Sequence, residues 1–208
     1  MEFWERSFKE KGEMWGGSPA RSAQIAKDFF LAKSIKEILI PGFGYGRNGH
    51  VFLDNGIGIT GIELSNTAIE LARKHFGAQT IIYHGSVVDM PFDSETYGGI
   101  FCYALIHLLG ADERAKFIHD CYAQLCDNGY MIFTTVSKQA VIYGQGTAIG
   151  PDRFELFGGV KIFFYDLQSI HAAFEKYGLI EIQEVEENYP FYLIICKKEK
   201  KQNNNKRR

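Results

Sequence analysis

Short apolar runs alternate along this chain with segments of helical spacing. "KEILI" (36–40), "IGITGIE" (57–63), "TIIYH" (80–84), "GGIFCYA" (98–104) and "YMIFTTV" (130–136) read as buried strands. Residues 20–34 read as a helix before the first run, with Ala23, Ala26 and Phe30 among its apolar positions. Residues 66–77 read as another, with Ser65 as N-cap and Gly77 as stop. A third covers 111–129, with Ile118, Cys121, Tyr122 and Leu125 on one face and Asn128-Gly129 as its stop. Such alternation demands a parallel sheet covered on both faces. The end of the chain breaks the rule. After a helix near 166–177, with Asp166 as N-cap, the runs 179–187 and 189–198 are separated by Asn188 alone. So short a link joins only antiparallel neighbours. The expected fold is therefore α/β and doubly wound, ending in an antiparallel hairpin.

At 208 residues the chain has room for one sizeable core. We expect a single domain over 1–197, with 1–34 as an N-terminal cap region and 198–208 as a disordered basic tail. Residues 197–208 carry seven basic side chains and one acid, so the remainder holds −8 of the formal net charge of −2. A domain of that charge repels nucleic acid, and none is expected as a partner. The charged opening "MEFWERSFKEKGEMW" lacks the apolar core of a signal peptide, and no stretch is long and apolar enough for a membrane span. The four cysteines form no C-x-x-C pair, which suggests free thiols in a reducing cytoplasm. The histidines show no metal-ligand spacing, and no metal is expected.

The function is carried by "ILIPGFGYGRN" (38–48). Gly42, Gly44 and Gly46 follow a strand at alternate positions, where a chain without side chains can approach a polar ligand. Glu63 ends the second strand, where a carboxylate can accept hydrogen bonds from the two hydroxyls of a ribose. Leu64 follows it and could pack on an adenine face. Residues 137–165 hold five glycines and six aromatics at the carboxyl end of a strand, where open sheets bind ligands. We expect this insertion to cover a substrate.

The set "ILIPGFGYGRN", "GIELS" and "GSVVDMPFDSETYGGIFC" resembles the class I S-adenosylmethionine-dependent methyltransferases, over roughly residues 36–136, with the hairpin extending the likeness to 197. The N-terminal "FWERSFKEKGEMWGGSP" is similar to the openings of thiopurine and tellurite-resistance members, which act on small molecules. The resemblance implies a seven-stranded Rossmann-like sheet in the order 3-2-1-4-5-7-6 with the last strand antiparallel. It implies S-adenosylmethionine as cofactor and S-adenosylhomocysteine as product. Gly42, Phe43, Gly44 and Gly46 would pass beside the methionine part. Glu63 would hold the ribose, Leu64, Ser86 and Val87 the adenine, and Tyr103 would lie near the methyl group. Two positions depart from the family: Ile40 replaces an acid, and Ser86 replaces an aspartate. Arg47 could pair with the cofactor carboxylate or be solvated.

The implied activity is in-line methyl transfer to a small-molecule acceptor. His107, after the fourth strand, is a candidate base or orienting group. Trp15, Tyr143 and Tyr165 are candidate pocket walls. Two alternatives stay open: a cofactor-binding protein without catalysis, and an NAD(P)-dependent oxidoreductase. The acceptor and the oligomeric state are not read from the sequence.

Overall fold

A computed structural model describes residues 2–77 and 80–200. The chain opens with helix α1 (Glu2–Lys11) and helix α2 (Arg21–Ala32), followed by strand β1 (Glu37–Pro41). The short helix α3 (His50–Leu53), strand β2 (Gly58–Glu63), helix α4 (Asn66–Phe76) and strand β3 (Ile81–His84) come next. Then follow β4 (Tyr97–Cys102), α5 (Ala111–Gln124) and β5 (Leu125–Val136). The insertion forms β6 (Thr147–Gly150), β7 (Arg153–Leu156) and β8 (Val160–Phe163). Helix α6 (Leu167–Phe174) leads to the final hairpin, β9 (Leu179–Glu186) and β10 (Pro190–Lys197).

Seven strands form one sheet in the order β3-β2-β1-β4-β5-β10-β9. β10 runs antiparallel to both neighbours, and the other ladders of this sheet are parallel. Counted within the sheet, this is the expected order with its antiparallel last strand. The strand order reverses at β1, which pairs with β2 on one side and β4 on the other. A crevice opens there at the carboxyl ends of the strands.

Alternation along the strands sends side chains to two cores. Ile38, Ile40, Phe101 and Ile132 pack on one face with Ala23, Ala26, Phe30 and Phe52. Leu39, Ile100, Cys102 and Phe133 pack on the other with Phe117, Ile118, Ile170 and Phe174. Two predicted caps form: the Ser65 hydroxyl accepts from the Ala68 N–H (3.1 Å), and the Asp166 carboxylate accepts from the Ser169 N–H (2.8 Å). The hairpin turn holds Glu187, Asn188 and Tyr189 rather than Asn188 alone.

Helix α5 corrects the expectation of a stop at Asn128-Gly129: it ends at Gln124, and β5 begins at once. The reason is remote in sequence. Lys198 Nζ lies 3.0, 3.0 and 2.6 Å from the carbonyls of Tyr122, Ala123 and Leu125. A cation thus caps the helix carboxyl end, where the dipole favours it. Lys198, counted above with the tail, is tied into the fold, and the tail residues 201–208 lie outside the described residues.

The insertion is a separate three-stranded antiparallel sheet, ordered β6-β7-β8. Lys138 clamps its base by bridging Asp152 (2.7 Å) and Asp166 (2.6 Å). Among the described residues, no helix is long and apolar enough to cross a membrane.

One glycine of the β1 loop serves packing. Gly46 has φ +84°, and a Cβ there would overlap the Phe76 ring of α4. Gly46→Ala should lower unfolding free energy by at least about 1–3 kcal/mol through overpacking alone. Denaturant melts at constant m-value will measure it.

Candidate functional site

A cleft of about 550 Å³ sits over the carboxyl ends of β1, β2 and β4. Its floor is the β1 loop. Folding this loop back onto β2 occupies four of its amides. The N–H groups of Gly42 and Phe43 both donate to the Ile62 carbonyl (2.9 Å each). The Gly44 N–H donates to Glu63 Oε2 (2.7 Å), and the Gly46 N–H donates to the Phe43 carbonyl (3.1 Å). The glycines therefore give close approach more than hydrogen bonds. Gly44, at φ +59°, would face open space if it bore a Cβ. Phe43 offers the cleft its backbone, because its ring packs on Gly61 and Phe76.

Glu63 is 7% exposed. Its Oε1 accepts from the Ser65 N–H at 2.8 Å, and Oε2 holds Gly44. Burial pushes its carboxyl above the usual range, and the Ser65, Gly44 and Leu64 N–H groups pull it back. A carboxylate offers about four acceptor sites, so capacity for a diol remains. Leu64, Ser86 and Val87 line the same end of the cleft. Ser86 spends its hydroxyl on the Val88 N–H (3.4 Å).

Tyr103 stacks on Phe191, with centroids 6.3 Å apart and planes at 10°. Burial pushes its phenol up to about 12; Glu187 adds to the shift and Arg47 opposes it. Arg47 lines the cleft and donates from Nε to the Ser18 carbonyl (2.7 Å). His107, in a 3-10 turn at Ile106–Leu108, is 6% exposed, and desolvation lowers its pKa to about 3. Its Nδ1 lies 3.4 Å from both the Thr135 hydroxyl and the Val136 N–H. The amide can only donate, so Nδ1 accepts and the ring hydrogen sits on Nε2. His107 is therefore uncharged near neutral pH, with its ring N–H on Nε2.

Of the three predicted aromatic walls, one reaches the cleft. Trp15 lines it, stacked on Tyr45 at 14°. Tyr143 does not: its hydroxyl donates to Asp152 (2.6 Å), and its ring packs on Phe154 and Phe164 inside the insertion. Tyr165 does not either. It is 1% exposed and borders a separate cavity of about 310 Å³ between α5 and α6, with Arg114 and Phe163. Phe163 and Tyr165 share a strand parity that turns them towards the helices. Gly46 is likewise absent from the lining and packs on Phe76 instead.

The structure adds residues that local reading missed. Trp4 and Phe8 come from α1, and Leu105, Leu108 and Leu109 from the segment after β4. Ile142, Phe157, Val160 and Ile162 come from the insertion, and Glu187, Asn188, Tyr189 and Phe191 from the last hairpin. The aromatic density of the insertion signalled part of this wall; Glu187 had no local signal. Among the described residues no cluster of potential metal ligands is present.

Comparison with known proteins agrees with this architecture. Residues 39–133 match the family described as "Methyltransferase domain". No curated protein matches the sequence. The chain is similar in fold to the 1,6-didemethyltoxoflavin-N1-methyltransferase of Burkholderia thailandensis, solved with 1,6-didemethyltoxoflavin and S-adenosylhomocysteine. That match has a TM-score of 0.72 and 13% identity, covering 94% of this chain and 85% of the other. An S-adenosylmethionine-dependent methyltransferase from Clostridium acetobutylicum gives a TM-score of 0.72 at 10% identity, covering 96% and 98%. The magnesium protoporphyrin IX methyltransferase of Synechocystis, solved with S-adenosylmethionine, gives 0.65 at 11% identity, covering 93% and 94%. The chain has the fold of these methyltransferases, and residues 39–133 match their domain.

The His107 environment makes a pH prediction. With a folded pKa near 3 against 6.5 when unfolded, the unfolded chain binds more protons between these values, so stability must fall as pH falls below about 6.5. Between pH 7 and 5 the loss from this residue should be about 2 kcal/mol. Urea melts at both pH values should show that much less acid sensitivity in His107→Gln.

Proposed function

We propose that the protein transfers a methyl group from S-adenosylmethionine to a small, largely apolar acceptor held beneath the 137–165 insertion. The carrying observation is that one cleft joins two chemically different ends. At one end are Glu63, Leu64 and Val87 with the side-chain-free loop; at the other is an apolar wall of Ile142, Phe157, Val160 and Ile162. The neighbour solved with both 1,6-didemethyltoxoflavin and S-adenosylhomocysteine bound supports such a shared chamber. Free thiols at all four cysteines support a reducing, cytoplasmic setting.

The residues fit this cofactor. Bound S-adenosylmethionine supplies an activated methyl group on a sulfonium. Glu63 accepts from the ribose hydroxyls. Leu64 and Val87 flank the adenine. The Tyr103 ring, braced by Phe191, packs beside the methionine chain. Trp4, Trp15 and Phe157 close the cleft and keep water from the reacting atoms. His107 donates from Nε2 to orient an acceptor atom and takes no proton. An amine or thiolate acceptor needs little more than placement, and placement supplies much of the rate.

Glu63→Ala should weaken S-adenosylhomocysteine binding by tenfold or more, since a charge-assisted hydrogen bond contributes about 1.5–3 kcal/mol. Calorimetric titration will measure it. Unchanged affinity in the folded variant would contradict the assignment.

A further inference from the structure

The carboxylates that line the cleft are Glu63, Glu113 and Glu187. Glu63 is committed, holding an N–H with each oxygen. Glu113 spends Oε2 on the Gly110 N–H (2.5 Å) at the start of α5, and it is not among the groups that act on Tyr103 beside Arg47. Glu187 differs. Its Oε1 accepts from the Ser22 N–H (2.8 Å) and the Ser22 hydroxyl (2.6 Å). Its Oε2 has no hydrogen-bond or ion-pair partner among the described residues.

Arg47 stands near it on a different element. Each acts on the Tyr103 hydroxyl, Arg47 from the β1 loop and Glu187 from the β9–β10 turn. Among the described residues the two form no ion pair with each other. Both are anchored to the segment between α1 and the first turn of α2: Arg47 by one bond to the Ser18 carbonyl, Glu187 by two bonds from Ser22 to Oε1. A guanidinium and a carboxylate held apart in this way, with unused donors and an unused acceptor, match the two poles of an α-amino acid. The end of β1 offers no alternative anion, because Ile40 is buried in the sheet core.

We propose that Glu187 is the acceptor for the α-ammonium group of the cofactor's amino-acid end, opposite Arg47 at its carboxylate. This rests on the reading that S-adenosylmethionine occupies the cleft. The final hairpin then has a role beyond completing the sheet, since its turn closes the amino-acid subsite.

The test uses calorimetric titration with two probes: S-adenosylhomocysteine, and its analogue with hydrogen in place of the α-amino group. The wild-type protein should prefer the amino compound by at least about tenfold, and in Glu187→Gln that preference should collapse to about threefold or less. Glu187→Asp, which keeps the charge, should recover part of it. Thermal melts establish that each variant is folded, and the wild-type preference alone tests the subsite if Glu187→Gln is not. Equal weakening of both probes in Glu187→Gln would mean a purely structural role through Ser22 and would overturn the proposal. So would a wild-type protein that binds both probes equally. If neither probe binds the wild-type protein, the cofactor reading fails as well, which is a different result from loss of the preference alone.

Discussion

The site depends on the clasp between the β1 loop and the end of β2. Three successive N–H groups, from Gly42, Phe43 and Gly44, are fastened to the Ile62 carbonyl and the Glu63 carboxylate. Positive φ at Gly42 and Gly44 makes that path accessible. The clasp fixes the loop before any ligand arrives and orients the carboxylate that it uses. It also explains why Gly61 lies on β2: a Cβ there would press on the Phe43 ring that the clasp turns inward. Floor and carboxylate are thus one hydrogen-bonded unit. This is preorganisation in a literal sense, because the ordering cost is met during folding.

The walls are built differently. They come from segments distant in sequence: α1, the stretch after β4, the insertion and the last hairpin. Each is fastened by a few specific contacts. Glu5 holds α1 to the start of α4 through the Ser65 and Thr67 hydroxyls (2.6 and 2.7 Å), and those bonds lower its pKa to about 2. Lys138 holds the insertion to the cap of α6. Glu187 holds the hairpin turn to α2 through Ser22. In the proposed function the rigid floor serves the cofactor, and of the attached segments the insertion serves the acceptor while the turn of the last hairpin reaches the cofactor's amino-acid end. Such a division lets acceptor preference change while the cofactor end is kept.

This division also decides what was legible in the sequence. The alternation of strands and helices, the terminal hairpin, the Ser65 and Asp166 caps, and Glu63 at the end of β2 follow from periodicity and local chemistry; the strand order is what the family resemblance implies. The end of α5 did not, because Lys198 supplies its cap from more than seventy residues away. Tyr143 and Tyr165 were misplaced because the insertion does not alternate cleanly, so its faces could not be assigned. Glu187 was hidden by hairpin length: with Asn188 drawn as the whole turn, Glu187 counted as a strand residue. A turn of three residues releases it to the cleft. Gly46 was placed beside the ligand by its motif, yet Phe76 is what excludes its Cβ.

The electrostatics of the chamber bear on the kind of acceptor it suits. Burial keeps the Tyr103 phenol and the His107 imidazole uncharged across the whole range near neutrality. Neither is poised near pH 7, where an effective general base has to be. A site of this kind gains nothing from a neutral hydroxyl that must lose its proton in the same step. Under the proposed methyl transfer it suits an acceptor that arrives nucleophilic, as an unprotonated amine or a thiolate does. In that proposal the pH dependence of turnover would belong to the acceptor's own ionisation, and the protein would contribute a dry, fixed geometry in which the reacting atoms meet.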